Sequence, residues 1–216
     1  MVNRERIHDF IRSFRRESGS EVLWEIEREA REDGVPIIRE ETRDLLRILL
    51  EMKKPERILE VGTAIGFSSV FMKENSPQSL RIDTIENYPP RIVRARENLK
   101  KADPEGKIVL HEGDAAKVLP CLQTPYDFVF MDAAKGQYIH FLPEIIRLLR
   151  PGAILLSDNV LQDGDIFESR YGIRTRNHTI HDRMREYLYA LTHHDSLDTV
   201  ILESGDGAAV SVKNWS

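Results

Sequence analysis

The sequence predicts an α/β fold: a Rossmann-like, seven-stranded, mostly parallel sheet with an antiparallel last hairpin and extra N-terminal helices. Three observations carry this. After Pro55, short apolar segments alternate with helix-length ones, the pattern of a parallel sheet covered on both faces. The first five of these segments end in polar or glycine residues, as strands do when they lead into a ligand crevice. The last two flank Gly205-Asp206-Gly207, a turn that suits an antiparallel hairpin.

Apolar residues recur at helical spacing near the N-terminus, at Ile7, Phe10, Ile11 and Phe14, at Val22, Leu23 and Ile26, and at Leu45, Leu46, Leu49 and Leu50. Gly34 and Pro36 separate the second helix from the third. Strands are expected at Arg57 to Gly62, Arg81 to Glu86, Lys107 to His111, Tyr126 to Asp132 and Ala153 to Asp158. The helices between them start near Gly66, Pro89, Asp114 and Gly136, where Gly, Pro or Asp suits a helix start. A polar, loop-like stretch from Gly164 to Thr179 precedes a helix from Ile180 to about His193. Closing strands are expected at Asp198 to Glu203 and Ala208 to Val212.

A chain of 216 residues fits one domain. Residues 1–54 read as a helical cover and 55–216 as the core. No apolar run approaches the roughly 18 residues that a membrane span needs, and Met1 to Arg16 lacks the apolar centre of a secretory signal. A cytoplasmic protein is expected. The one cysteine, Cys121, excludes an internal disulfide and a Cys-based zinc cluster, and in its apolar setting it reads as a buried packing residue. A net charge of -5 argues against coating nucleic acid through global positive charge. Local arginine groups stand at Arg4, Arg6, Arg12, Arg15 and Arg16 and at Arg170, Arg174, Arg176, Arg183 and Arg185, and charge alone makes them solvated helix faces.

The first strand ends in Glu60-Val61-Gly62-Thr63-Ala64-Ile65-Gly66-Phe67-Ser68, whose glycines permit a tight turn and close approach of ligand to backbone. Ala64 stands where a dinucleotide loop has glycine, which weakens a pyrophosphate reading. Glu86, ending the second strand, can accept from ribose hydroxyls. Asp114, after the third strand, can cap a helix or accept from an adenine amino group. Together they describe an adenosine site, for S-adenosylmethionine or for a nicotinamide cofactor. Strand four ends in Asp132 and strand five in Asp158-Asn159, so two carboxylates and an amide oxygen should meet at one rim. These are hard oxygen ligands suited to Mg²⁺. A nicotinamide-dependent oxidoreductase and a non-catalytic adenosine-binding module are the readings from other classes.

With these residues in view, the sequence resembles the cation-dependent O-methyltransferase family that contains caffeoyl-CoA and catechol O-methyltransferases. The likeness rests on Glu60-Val61-Gly62-Thr63 through Ser68, Glu86, Asp114-Ala115, Asp132-Ala133-Ala134-Lys135-Gly136-Gln137-Tyr138 and Asp158-Asn159-Val160. It implies a class I methyltransferase fold, Mg²⁺ or Mn²⁺ on Asp132, Asp158 and Asn159, and Lys135 as general base. It further implies that Ile37, Glu60, Gly62, Thr63, Ser68, Glu86, Ala115 and Asp132 line the S-adenosylmethionine pocket. A substrate for such a site should offer two oxygens on adjacent carbons, as catechols and 5-hydroxyuridine do. Arg174-Thr175-Arg176-Asn177-His178-Thr179-Ile180, Arg183-Met184-Arg185 and Gly205-Asp206-Gly207-Ala208-Ala209 are similar to bacterial tRNA 5-hydroxyuridine methyltransferases, which make 5-methoxyuridine at the wobble position. That implies phosphate contacts from Arg174, Arg176 and Arg183 to a tRNA anticodon loop. A small phenol is the other substrate expected. His178 and His181 read as solvent-facing or phosphate-contacting, and relatives imply a homodimer.

Overall fold

The computed structural model describes residues 4–15, 19–169, 174 and 177–215. Three helices come first, α1 (Arg4–Arg12), α2 (Glu21–Glu32) and α3 (Glu40–Lys53). Ser20 caps α2, its hydroxyl accepting from the Leu23 N–H at 3.1 Å. Next come β1 (Arg57–Val61), α4 (Phe67–Glu74), β2 (Arg81–Glu86), α5 (Pro89–Ala102), β3 (Ile108–Glu112), α6 (Ala115–Val118), β4 (Tyr126–Met131), α7 (Tyr138–Leu148) and β5 (Leu149–Asp158). The chain closes with α8 (His178–Thr192), β6 (Leu197–Leu202) and β7 (Ala208–Lys213).

The strands form one seven-stranded sheet in the order β3-β2-β1-β4-β5-β7-β6. The first five are parallel, whereas β7 runs antiparallel to both β5 and β6. The order reverses between β1 and β4, and a crevice opens there beyond the strand tips. Register decides what lines it: Val61 pairs with Met131 and Met131 with Ser157, so Gly62, Asp132 and Asp158 emerge side by side.

Each face of the sheet has its own core. One joins Val129, Met131 and Leu155 to Tyr138, Leu142 and Ile145 of α7 and to Met184, Tyr187 and Leu191 of α8. The other joins Ile58, Phe128 and Phe130 to Leu23 and Ile26 of α2, Leu46 and Leu50 of α3, and Phe67 and Val70 of α4. Leu46 and Leu50 are fully buried, worth about 1.5–3 kcal/mol each against water. Helix α3 is therefore held by packing, although Arg39 gives it no side-chain cap.

Several expectations need correction. Strand β5 starts at Leu149 rather than Ala153, because a bulge opposite Tyr126 and Phe128 absorbs the Pro151-Gly152 break. Helix α7 starts at Tyr138, after a short 3₁₀ turn over Lys135–Gln137. A further 3₁₀ turn, Gln162–Phe167, overlaps the start of the stretch from Gly164 expected to be loop. Cys121 is exposed; in the Leu119–Cys121 turn it is Leu119 that points into the core. His181 is buried, its ring nitrogens 3.2 Å from the Glu168 carbonyl and from the Asp182 carboxylate, so it faces neither solvent nor a phosphate. Among the described residues no helix is long and apolar enough to cross a membrane.

Candidate active site

A cavity of about 550 Å³ opens at the crevice, within the size range of small-molecule sites. Ile37, Gly62, Glu86, Asp114, Ala115, Asp132, Lys135, Asp158 and Asn159 all line it. Residues from six separate segments thus meet around one space.

The β1 loop is shaped by contact with its neighbour. Gly62 has φ +109, and a Cβ there would lie 2.0 Å from the Asp132 carbonyl oxygen, so glycine is required before any ligand is considered. Glu86 organises the opposite wall. Its carboxylate accepts from the N–H groups of Ala64, Asn87 and Tyr88, each at 2.9 Å, which holds it rigidly at the position expected for a ribose acceptor. Asp114 caps α6, accepting from the Ala116 N–H at 2.9 Å, and also lines the cavity.

Three expected cofactor residues lie behind the wall. Thr63 is fully buried, its hydroxyl 2.6 Å from that of Thr84. Glu60 is fully buried too, with Ser69 and Thr84 donating to its Oε2. Burial pushes the Glu60 carboxyl above its usual range, while the hydroxyls of Ser68, Ser69 and Thr84 oppose this and the Glu86 charge adds to it. Glu60, Thr63 and Ser68 therefore support the loop from inside.

The rim between β4 and β5 is electrostatically crowded. Burial, then the charges of Asp158 and Glu60, push the Asp132 carboxyl up to about 7, against the pull of Lys135 and Arg91. Asp158 is raised as well, chiefly by burial and with Asp206 contributing, against hydrogen bonds from the Asn159 N–H and Thr42. Its Oδ1 accepts from the Thr42 hydroxyl at 3.0 Å and from the Asn159 N–H at 2.9 Å. Its Oδ2 is buried with no hydrogen-bond partner among the described residues. An orphaned carboxylate oxygen beside a second destabilised carboxylate fits a hard cation, which would relieve both. Asn159, the third donor expected from sequence, lines the same cavity with a left-handed backbone, φ 57, which Asn tolerates better than most residues. No three His, Cys, Asp or Glu side chains gather for a metal among the described residues.

Four residues of this site were given no role of their own from sequence, although Tyr138 and Asp206 stand within the quoted motifs. Thr42 reaches Asp158 across 116 positions. The Tyr138 hydroxyl, fully buried, lies 3.1 Å from the carbonyls of Met131 and Asp158 and ties the two strand tips together. Asp206 is buried with its Oδ2 3.4 Å from Lys135 Nζ, and Arg91 lines the same cavity. A Gly-Asp-Gly hairpin reads first as turn chemistry, so sequence offered no separate signal for Asp206.

The arginines divide. Arg174 is exposed. Arg183 is half-buried and donates to the Gly136 carbonyl at 3.1 Å, and Arg185 donates to the Ile166 carbonyl at 3.1 Å. Arg170 and Arg176 lie outside the described residues.

The chain is similar to several O-methyltransferases. Over 143 residues the chain is 31% identical to a catechol O-methyltransferase of Niastella koreensis, covering 63% of this chain and 65% of that one. Over 111 residues it is 36% identical to a catechol O-methyltransferase of Mycobacterium tuberculosis, covering 51% and 50%. The chain thus spans between half and two thirds of the length of these relatives. The O-methyltransferase TomG of Streptomyces achromogenes, solved in complex with S-adenosylmethionine, superposes with a TM-score of 0.84 over 99% of this chain and 100% of that one, at 24% identity; this shows the shared fold. A sequence model of the O-methyltransferase family matches residues 17–214, nearly the whole chain, and this protein belongs to that family.

Proposed function

We propose that this protein transfers the methyl group of S-adenosylmethionine to a hydroxyl oxygen in a divalent-cation-dependent reaction, with residues 1–216 working as one unit. The observation that carries the reading is the Asp158 Oδ2, buried without a hydrogen-bond partner among the described residues, beside the raised Asp132 carboxyl in the wall of the cleft. Asp132, Asp158 and Asn159 are the residues that would hold Mg²⁺ or Mn²⁺. A cation bound there supplies a Lewis acid that makes a substrate hydroxyl more acidic. In the transfer the sulfonium C–S bond breaks as the O–C bond forms, S-adenosylhomocysteine leaves, and Lys135 Nζ takes the hydroxyl proton. Gly62, Glu86, Asp114 and Ala115 bind and orient the nucleoside part of the donor, while Glu60, Thr63 and Ser68 hold the loop that cradles it.

The substrate we propose is 5-hydroxyuridine in a tRNA anticodon loop, with Arg174, Arg176 and Arg183 contacting its phosphates. The support is the residue pattern around Arg174 and the exposure of that side chain. A second reading, a small catechol, is favoured by the names of the two relatives above. One experiment separates them: labelled S-adenosylmethionine is offered with bulk bacterial tRNA lacking 5-methoxyuridine or with 1,2-dihydroxybenzene, each with and without EDTA. EDTA-sensitive label in tRNA supports the first reading, label in the phenol alone supports the second, and full activity in EDTA overturns the cation site.

A homodimer is also proposed. Ile48 and Met52 of α3 are exposed, as are Val200 and Val212 on the sheet face of Val210, and Leu49 and Val210 pack on the same core. A monomer rarely leaves such an apolar surface to water. Light scattering on the purified chain tests this, and a monomer at micromolar concentration ends it.

A further inference from the structure

Lys135 stands on a three-residue 3₁₀ turn preceded by Ala134, which gives no side-chain cap. A long amine on so short a turn loses reach and direction unless something else holds it. Two contacts from distant segments do so. Asp206 Oδ2, on a side chain only 3% exposed, lies 3.4 Å from Nζ. Arg183 of α8 donates from Nη1 to the carbonyl of Gly136, the next residue along, at 3.1 Å.

Both holders are themselves fixed. The Leu161 N–H donates to the Asp206 carbonyl and the Val160 N–H to the Gly207 carbonyl, each at 3.0 Å. Gly207 has φ +82, and a Cβ there would meet Leu161 Cγ at 2.2 Å, so the turn has one close-packed seat. Helix α8 is anchored by buried Met184 and Tyr187, with the Tyr187 hydroxyl 2.6 Å from that of Ser157, one residue before Asp158.

We infer that Asp206 and Arg183 are positioning residues that clamp Lys135, one at its amine and one at its backbone, so that the amine faces the substrate hydroxyl. This rests on the reading of Lys135 as proton acceptor. The test uses the full chain, with tRNA bearing 5-hydroxyuridine and with 1,2-dihydroxybenzene, in wild type, Asp206→Asn, Arg183→Gln, Lys135→Met and the Asp206→Asn/Lys135→Met double variant. Asp206→Asn should lower kcat about 10- to 100-fold, with S-adenosylhomocysteine affinity and Tm unchanged. The double variant should be no slower than Lys135→Met, since a clamp has nothing to hold once the amine is gone. Independently of turnover, brief acetic anhydride labelling read by mass spectrometry should modify Lys135 severalfold faster in Asp206→Asn.

Unchanged labelling together with unchanged kcat overturns the clamp, as does an Asp206→Asn loss that persists undiminished on the Lys135→Met background. Lys135→Met turning over at the wild-type rate sinks the proton-acceptor reading and the clamp with it, whereas a slow Lys135→Met beside a normal Asp206→Asn sinks the clamp alone. Should Asp206→Asn fail to fold, Arg183→Gln, on a half-exposed helix position, carries the same measurements with 1,2-dihydroxybenzene, which has none of the phosphates proposed for Arg183.

Discussion

The N-terminal helices and the strand tips both bury carboxylates, and the two regions treat them in opposite ways. On α2, Glu27 is 5% exposed in its side chain but lies 2.6 Å from Arg31 and 3.1 Å from Arg43. Burial alone would raise its pKa, yet the two guanidiniums outweigh burial and hold it below the usual range. At the β4 and β5 tips, burial and neighbouring carboxylates win, and Asp132 is pushed up to about 7. The cover is electrostatically closed, whereas the cleft keeps unbalanced negative charge for something bound to offset. Destabilised charge gathered in a cavity marks a functional site more sharply than a count of acidic residues does.

The largest expected effect breaks the cleft without touching the cover. Lys135→Met should lower kcat about 10²- to 10⁴-fold, while the thermal midpoint stays at the wild-type value in calorimetry; a Tm drop matching the activity loss would make Lys135 structural.

A matched pair of carboxylate-to-amide changes sharpens the contrast, because the two should move stability in opposite directions. Glu27→Gln should cost about 2 kcal/mol, less than breaking a fully buried pair because Arg31 is largely exposed. Asp132→Asn should stabilise the protein, by about 1–2 kcal/mol in chelator, and should abolish any Mg²⁺-dependent rise in Tm. The signs follow from the shifts. Glu27, depressed below its ordinary 4.5, contributes stability above that value and loses it as pH falls through the folded pKa. Asp132, raised from 3.8 to about 7, contributes fully below 3.8 and loses that contribution as pH rises to about 7. Chemical denaturation at pH 4, 6 and 8 should therefore show the Glu27→Gln deficit shrinking in acid and the Asp132→Asn gain growing toward pH 8. Two variants with the same sign at pH 8 would erase the contrast.

Thr42 joins the two regions, so breaking it should affect both mildly. Thr42→Val removes the hydrogen bond to Asp158 and should cost about 1 kcal/mol, with a several-fold weaker response of Tm to added Mg²⁺; Thr42→Ser should behave as wild type in the same titration. Smallest is Arg174→Ala, which lies in neither core. It should leave Tm unaltered and reduce the salt slope of tRNA binding by about one. An identical slope in filter binding between 50 and 200 mM salt would remove Arg174 from the RNA surface.

Much of this was legible before the structure. Every strand appears within a few residues of its expected place, except that β5 begins at Leu149 because a bulge, invisible to periodicity, carries the strand through Arg150-Pro151-Gly152. Asp132, Asp158 and Asn159 were legible as a group because parallel strands must end on one side, so residues that terminate them share a rim. Cys121 and His181 were misread for different reasons. Cys121 sits on a 3₁₀ turn that was not foreseen, whereas His181 sits on a helix that was foreseen, and which face of that helix turns inward is set by how α8 packs and by the Glu168 carbonyl it meets.

Sequence by itself determined the alternation of strands and helices, the glycines of the β1 loop and the oxygen donors at the strand tips, because these follow from backbone sterics, hydrophobic period and side-chain chemistry acting over a few residues. Only the tertiary structure decided that Thr42 reaches Asp158, that Tyr138 bridges two strand ends, that Asp206 meets Lys135 and that Arg183 holds the backbone beside it. Those contacts join positions up to 116 residues apart, and nothing in a local pattern encodes a distance that exists only after the sheet has set its order and register.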